Sequence, residues 1–159
     1  MKGASMQKFI IKIARFLAFI VFITMPLNAE SKHKDSKMII ELKFQLQSGI
    51  ATSQVKLEDN PATRDFYALL PLSLEFRDYV GKEKISPELP RQLNTQGLNG
   101  YNPQVGDLFY FSPWGNLGIF YEKQPFHSGL VRFGSVDSQI LAKIKAQKES
   151  FVITFERAK

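Results

Sequence analysis

Residues 106–121, GDLFYFSPWGNLGIFY, decide the fold class. Two apolar, aromatic runs flank the centre Ser112-Pro113-Trp114-Gly115-Asn116. Proline presets one backbone dihedral, and glycine and asparagine tolerate positive φ, so the centre reads as a turn and the runs as strands. Successive strand side chains point to opposite faces. Leu108 and Tyr110 therefore share one face, and Phe109 and Phe111 the other. In the second run Leu117, Ile119 and Tyr121 share a face opposite Gly118 and Phe120. Neither strand has a polar side. Both faces are covered, or one of them lines a partly exposed aromatic surface. Trp114, the only tryptophan of the chain, stands in a turn whose backbone does not require it.

Period two recurs on both sides of this stretch. In residues 38–46 Ile40, Leu42, Phe44 and Leu46 alternate with Glu41, Lys43 and Gln45, as in a half-buried strand. Gln47-Ser48-Gly49 makes a turn, and Ala51, Ser53, Val55 and Leu57 continue as the second arm of a hairpin. Asn60 then caps a short helix with Pro61 at its first position. Ala62, Phe66, Leu69 and Leu70 fall on one helical face, and Pro71 ends it. Residues 72–80 return to period two, with Leu72, Leu74, Phe76 and Val80 assigned to one side. Residues 81–105 read as a long irregular loop rich in proline, glycine and asparagine, a length often associated with function. Downstream of the opening stretch, residues 129–134 form another strand. Asp137 or Ser138 caps a second helix carrying Ile140, Leu141 and Ile144, and residues 151–157 end the chain as a strand. The order is ββαβ, a loop, then βββαβ. Short strands that must hide their edges suggest a small closed β-barrel with two short helices.

The chain has 159 residues and a net charge of +6. Lys2, Lys8, Lys12 and Arg15 contribute four of those charges within residues 1–29, which hold no acid, leaving +2 for the rest. No Lys/Arg stripe marks a nucleic-acid surface. Basic residues followed by the apolar run 16–25, Pro26 and Ala29 read as a signal peptide over residues 1–29. Residues 30–37 follow as a linker, and residues 38–159 as one domain, exported to the periplasm or secreted. The alternatives are an uncleaved anchor, interrupted by Lys12 and Arg15, and a start at Met6. With cleavage, no membrane contact is expected. There is no cysteine, so no disulfide, lipid anchor or thiolate chemistry operates.

Three stretches together, NPATRDFYALLPLSLEFRDYVGKEK (60–84), GYNPQVGDLFYFSPWGNLGIFY (100–121) and GLVRFGSVDSQI (129–140), resemble bacterial cyclophilin-like fold proteins. The resemblance spans roughly residues 38–158. FGSVDSQILAKI is also similar to the strand-to-helix segment of true cyclophilins. The resemblance implies a closed barrel with helices over its ends. Cyclophilins carry their isomerase arginine in a Phe-His-Arg strand and a glutamine in a Gln-Gly-Gly-Asp segment. Here Arg91 lies in LPRQLN, and Gln104 precedes Val105-Gly106-Asp107, so Val105 replaces one glycine.

Two functional readings follow. In the first, the domain is a non-enzymatic module that holds an extended peptide or small ligand in a shallow aromatic groove. In the second it is a weak peptidyl-prolyl cis-trans isomerase, with Arg91 as its catalytic candidate. The departures around Arg91 and Gln104 favour the first. Arg91, Tyr101, Gln104, Pro113, Trp114 and Asn116 are the candidate ligand-binding residues. His127, the only histidine of the domain, reads as a solvated loop residue, and Asp107 as a turn residue bonding backbone amides. No His/Asp/Glu cluster has metal-ligand spacing, so neither metal nor cofactor is expected.

Overall fold

The computed structural model describes residues 37–159. The signal-peptide assignment (1–29) and all of the linker except Lys37 lie outside the described residues. Eight strands form one antiparallel sheet: β1 (Ile39–Leu46), β2 (Gly49–Lys56), β3 (Leu72–Tyr79), β4 (Glu83–Glu88), β5 (Asp107–Phe111), β6 (Asn116–Phe120), β7 (Leu130–Ser135) and β8 (Phe151–Arg157). Their spatial order is β2-β1-β8-β3-β4-β6-β5-β7. Among the described residues two helices accompany it, α1 (Pro61–Leu69) and α2 (Ser138–Ala146).

Both helices begin as their sequences dictate. Asn60 accepts from Thr63 N at 3.0 Å, and Thr63 Oγ1 accepts from Asn60 N at 3.1 Å, forming a reciprocal capping box ahead of Pro61. Asp137 accepts from Ile140 N at 2.9 Å. Phe66 of α1 is fully buried, its ring centroid 5.2 Å from that of Phe133 and 5.5 Å from that of Phe155. Around it the alternating positions of β1 and β8 meet: Ile40, Leu42, Phe44, Ile153 and Phe155 are all buried in the main core.

Three expectations need correction. First, the sheet is a curled half-barrel and not a closed barrel. The edge strands β2 and β7 share no ladder. They approach at one corner, where Glu58 N donates to Phe133 O at 2.8 Å and a Cβ on Gly134 would lie 2.6 Å from Lys56 O. The chain leaves β2 at Lys56 for the α1 cap, so β2 is spent before it can pair along β7. Secondly, part of the 81–105 stretch is β4. Pro87 has no N–H to donate, and the β4–β6 register shifts between Ile85 and Glu88, which accommodates it. Thirdly, Val80 does not share the face of Phe76. It has φ 46° and Gly81 φ 68°, positive at both central residues as a tight hairpin turn between β3 and β4 requires, and Val80 is exposed.

Candidate functional site

Cross-strand register assembles the site. Phe109 of β5 lies opposite Gly118 of β6, and Phe111 opposite Asn116 and, on its other side, Leu130 of β7. Glu83 of β4 lies opposite Phe120 of β6 and Tyr79 of β3, and Ile85 opposite Gly118. Directly paired residues project to the same face. These side chains therefore form a continuous aromatic floor on the face turned away from the main core. Phe109, Phe120 and Leu130 make a separate buried cluster, with Tyr101 and Phe111 packed at its margin. The Phe109 and Phe120 rings stack at 4.0 Å. Gly118 makes that stack possible, because a Cβ there would sit 2.2 Å from the Phe109 ring.

Above the floor is a groove of about 220 Å³. One wall is the turn between β5 and β6. Gly115 takes φ 63° there, and the Trp114 ring meets Tyr79 at 5.4 Å and Phe111 at 5.3 Å, both edge to face. The other wall is the segment Gln124-Pro125-Phe126-His127. His127 is exposed, as expected, yet its ring lies 5.0 Å from Phe111 and its Nδ1 accepts from Gly129 N at 2.9 Å. The main-chain link between Tyr101 and His127 joins the 89–106 segment to this wall.

Trp114 and Asn116 line the groove; Arg91, Tyr101, Gln104 and Pro113 do not. Trp114 is 49% exposed. Asn116 is buried, and its Nδ2 donates to Ser86 O at 3.1 Å while Oδ1 takes no donor. That side chain ties the turn to β4. Arg91 is exposed and donates to Asp65 Oδ2 at 3.2 Å, beside α1. This contact and the Asn94 amide hold the Asp65 carboxyl below the usual range. Pro113 is exposed on the outside of the turn, close to Gly129. Tyr101 is half-buried at the margin of the floor, where burial, and then the neighbouring Asp107 charge, push its hydroxyl pKa well up. Gln104 is exposed, but its amide N–H donates to Asp107 Oδ2 at 2.8 Å. Asp107 is thus the expected amide acceptor and more: fully buried, it also takes Arg132 Nε at 2.8 Å.

The sequence reading missed Glu83, Phe126 and the lining position of His127. Glu83 is half-buried on the groove face of β4, and burial pushes its carboxyl up to about 7. The signal for it was the Tyr79-Val80-Gly81 turn, which starts a strand at Glu83. Among the described residues no cluster of three or more His, Cys, Asp or Glu can hold a metal ion, and no helix is long and apolar enough to cross a membrane.

Residues 46–156 match the cyclophilin-like family. No curated protein matches the chain. Among solved structures, a hypothetical protein from Archaeoglobus fulgidus is similar with a TM-score of 0.52 and 16% identity, over 78% of this chain and 98% of that one. McbB, solved in complex with tryptophan, is similar with a TM-score of 0.53 and 15% identity, over 74% of this chain. The match spans 44% of McbB, less than half its length. At these identities the likeness is one of fold.

Proposed function

This chain belongs to the cyclophilin-like family, and we propose that it is a non-enzymatic binding module whose aromatic groove takes one small ring-bearing ligand, or one bulky side chain of an extended peptide. The observation that carries this reading is the open aromatic floor of β4, β6, β5 and β7. Apolar rings left partly uncovered on a sheet face are a recurrent mark of a ligand surface. The groove volume of about 220 Å³ is below the roughly 300–1,000 Å³ of sites for drug-sized molecules. It suits a single ring system with a short arm. That a protein sharing the fold has been solved with tryptophan is in keeping with a ring-binding role.

The isomerase reading has less support. It needs a guanidinium over the bound peptide, and Arg91 is tied to Asp65 away from the groove. The same proposal has the protein act outside the cytoplasm, supported by the basic and then apolar leader. The intact mass of protein from its native host would check this, since a leaderless mass is expected.

Binding is tested by titrating small aromatic compounds into isotope-labelled protein and mapping amide shifts. Saturable shifts confined to residues such as Phe111, Trp114, Phe120 and His127 are the expected result. Shifts that do not saturate, or that centre on the Arg91–Asp65 region, would overturn the groove as the binding site.

A further inference from the structure

Neighbouring residues on β4 carry opposite charges and have opposite fates. Lys84 projects to the core side, where it is 2% exposed and ion-paired. Its Nζ donates to Asp78 Oδ1 at 2.8 Å and to Gln147 O at 2.7 Å, and lies 5.4 Å from the centroid of the Tyr121 ring. Glu83 projects to the groove side. Among the described residues its carboxyl has no ion pair and no side-chain hydrogen bond, and its cross-strand neighbours are Tyr79 and Phe120. Because strand side chains alternate, Lys84 cannot swing round to neutralise it. The groove therefore holds an acid among aromatic rings: its lining includes no lysine and no arginine, and His127 is the one lining side chain able to take up a positive charge. A carboxylate withdrawn from water without a partner is unfavourable, and an incoming positive charge relieves that. Ring faces add to the attraction, since a cation within about 6 Å of an aromatic centroid is stabilised by the ring quadrupole.

We infer that the groove is selective for a small organic ammonium: a primary or methylated amine on an aromatic or other apolar body, its charge against Glu83 and its body among Phe111, Trp114 and Phe120. This rests on the groove being a binding site at all. The ammonium can come from a free amine or from the side chain of a lysine, since both present the same charge on an apolar stem. The groove volume favours the free amine, whose ring fills the aromatic floor.

The test uses the sole tryptophan, Trp114, as reporter, with amide shifts as a second readout. The whole folded domain is titrated at pH 8 with 2-phenylethylammonium, its anionic counterpart 3-phenylpropionate, neutral 3-phenylpropanol and Nα-acetyl-lysine amide. The expected result is that 2-phenylethylammonium binds at least about tenfold more tightly than the neutral compound, and more tightly than the lysine derivative, while the anion binds weakest. In Glu83→Gln, which keeps the shape and removes the charge, the preference over the neutral compound should vanish with neutral binding retained. Equal binding of cation and neutral compound to the unaltered protein would overturn the inference and leave the groove standing as a site. No saturable binding of any probe would overturn both. Tighter binding of the lysine derivative would replace the free amine by a peptide-borne one.

Discussion

The β5–β6 hairpin has two apolar faces with contrasting surroundings. On one, Leu108, Tyr110, Leu117 and Ile119 are fully buried in the main core. Even the polar end of Tyr110 is satisfied there, its hydroxyl donating to Gln92 Oε1 at 2.7 Å and accepting from Leu93 N at 3.3 Å. On the other face, Phe109 and Phe120 are buried largely against each other, while Phe111 is half-buried and Trp114 half-exposed. Composition does not distinguish the two. What separates them is cover: the curl of the sheet and α1 close over the first face, and only a turn and the 124–127 segment border the second. An apolar face without a second layer is what the proposed binding role rests on.

The sharpest way to break this comparison is to remove a ring from the closed side. Phe66 is fully buried between Phe133 and Phe155, and Phe66→Ala should cost about 3–5 kcal/mol in a denaturant or thermal unfolding experiment. An unchanged midpoint would mean that the first face is not the core. Gly118→Ala attacks the open side from beneath. The new methyl would overlap the Phe109 ring, driving it off Phe120 and into the groove. Overpacking of this kind costs about 1–3 kcal/mol, less than the core truncation, but ligand binding should be lost outright. Retained binding would mean that the groove does not depend on the Phe109–Phe120 stack.

Most of the fold was legible because it is written locally. Alternation marked β1, β2 and β3, the β-branched and aromatic run 151–157 marked β8, and Asn60-Pro61 and Asp137 marked the helix starts. β4 escaped because Glu83, Lys84 and Pro87 obscure its period, and one of its two partners, β6, comes from far along the chain. The open edge between β2 and β7 was invisible for a related reason, since closure depends on where two distant strands stop. For the site, the sequence singled out Trp114 and Asn116, which line the groove. Arg91 and Gln104 were grouped with them through the cyclophilin resemblance and, like Tyr101, as members of the long loop, whereas register, and in the case of Arg91 the carboxylate of Asp65, decides where such residues go. Glu83 needed the β3–β4 turn to be placed first.

The two faces should also differ in their response to pH. On the groove side, burial raises the Glu83 carboxyl from the ordinary 4.5 to about 7. Below pH 4.5 the folded and unfolded chains both hold that proton. As pH rises toward 7 the unfolded chain releases it first, so the folded state loses stability across this window. The other titratable side chains lining the groove are Tyr79 and His127. On the core side, Asp78 behaves oppositely: burial alone would raise it, but Lys84, the Tyr121 hydroxyl and the Gly81 amide outweigh that and lower it. Its stabilisation is present above the ordinary carboxylate range and lost in acid. Melting temperatures of the protein and of Glu83→Gln, compared from pH 4.5 to 7.5, isolate the first group. The variant should gain on the unaltered protein as pH rises; parallel curves would mean that Glu83 is solvated like any surface acid.

The smallest effect is spectroscopic, and it bears most directly on whether the second face is open. Trp114 touches Tyr79 at the end of β3 and Phe111 at the end of β5, so its ring borders the groove at the turn. The turn needs Pro113, Gly115 and Asn116 for its backbone, and it gains nothing from an indole unless the ring covers something or contacts something. At 49% exposure the ring is anchored along its edges and wet on the remainder. Iodide should therefore quench its emission partially, to a degree between that of a free indole and that of a buried one. A saturating aromatic ligand should reduce that quenching, because a ligand in the groove covers the part of the ring that iodide reaches. Trp114 being the sole tryptophan, excitation at the red edge of the indole band, where tyrosine scarcely absorbs, reports on this ring alone. Blue-shifted emission with no response to iodide would show that the ring is a lid already closed on the floor. The second face would then be a second core, and the contrast between the two sides of the hairpin would disappear.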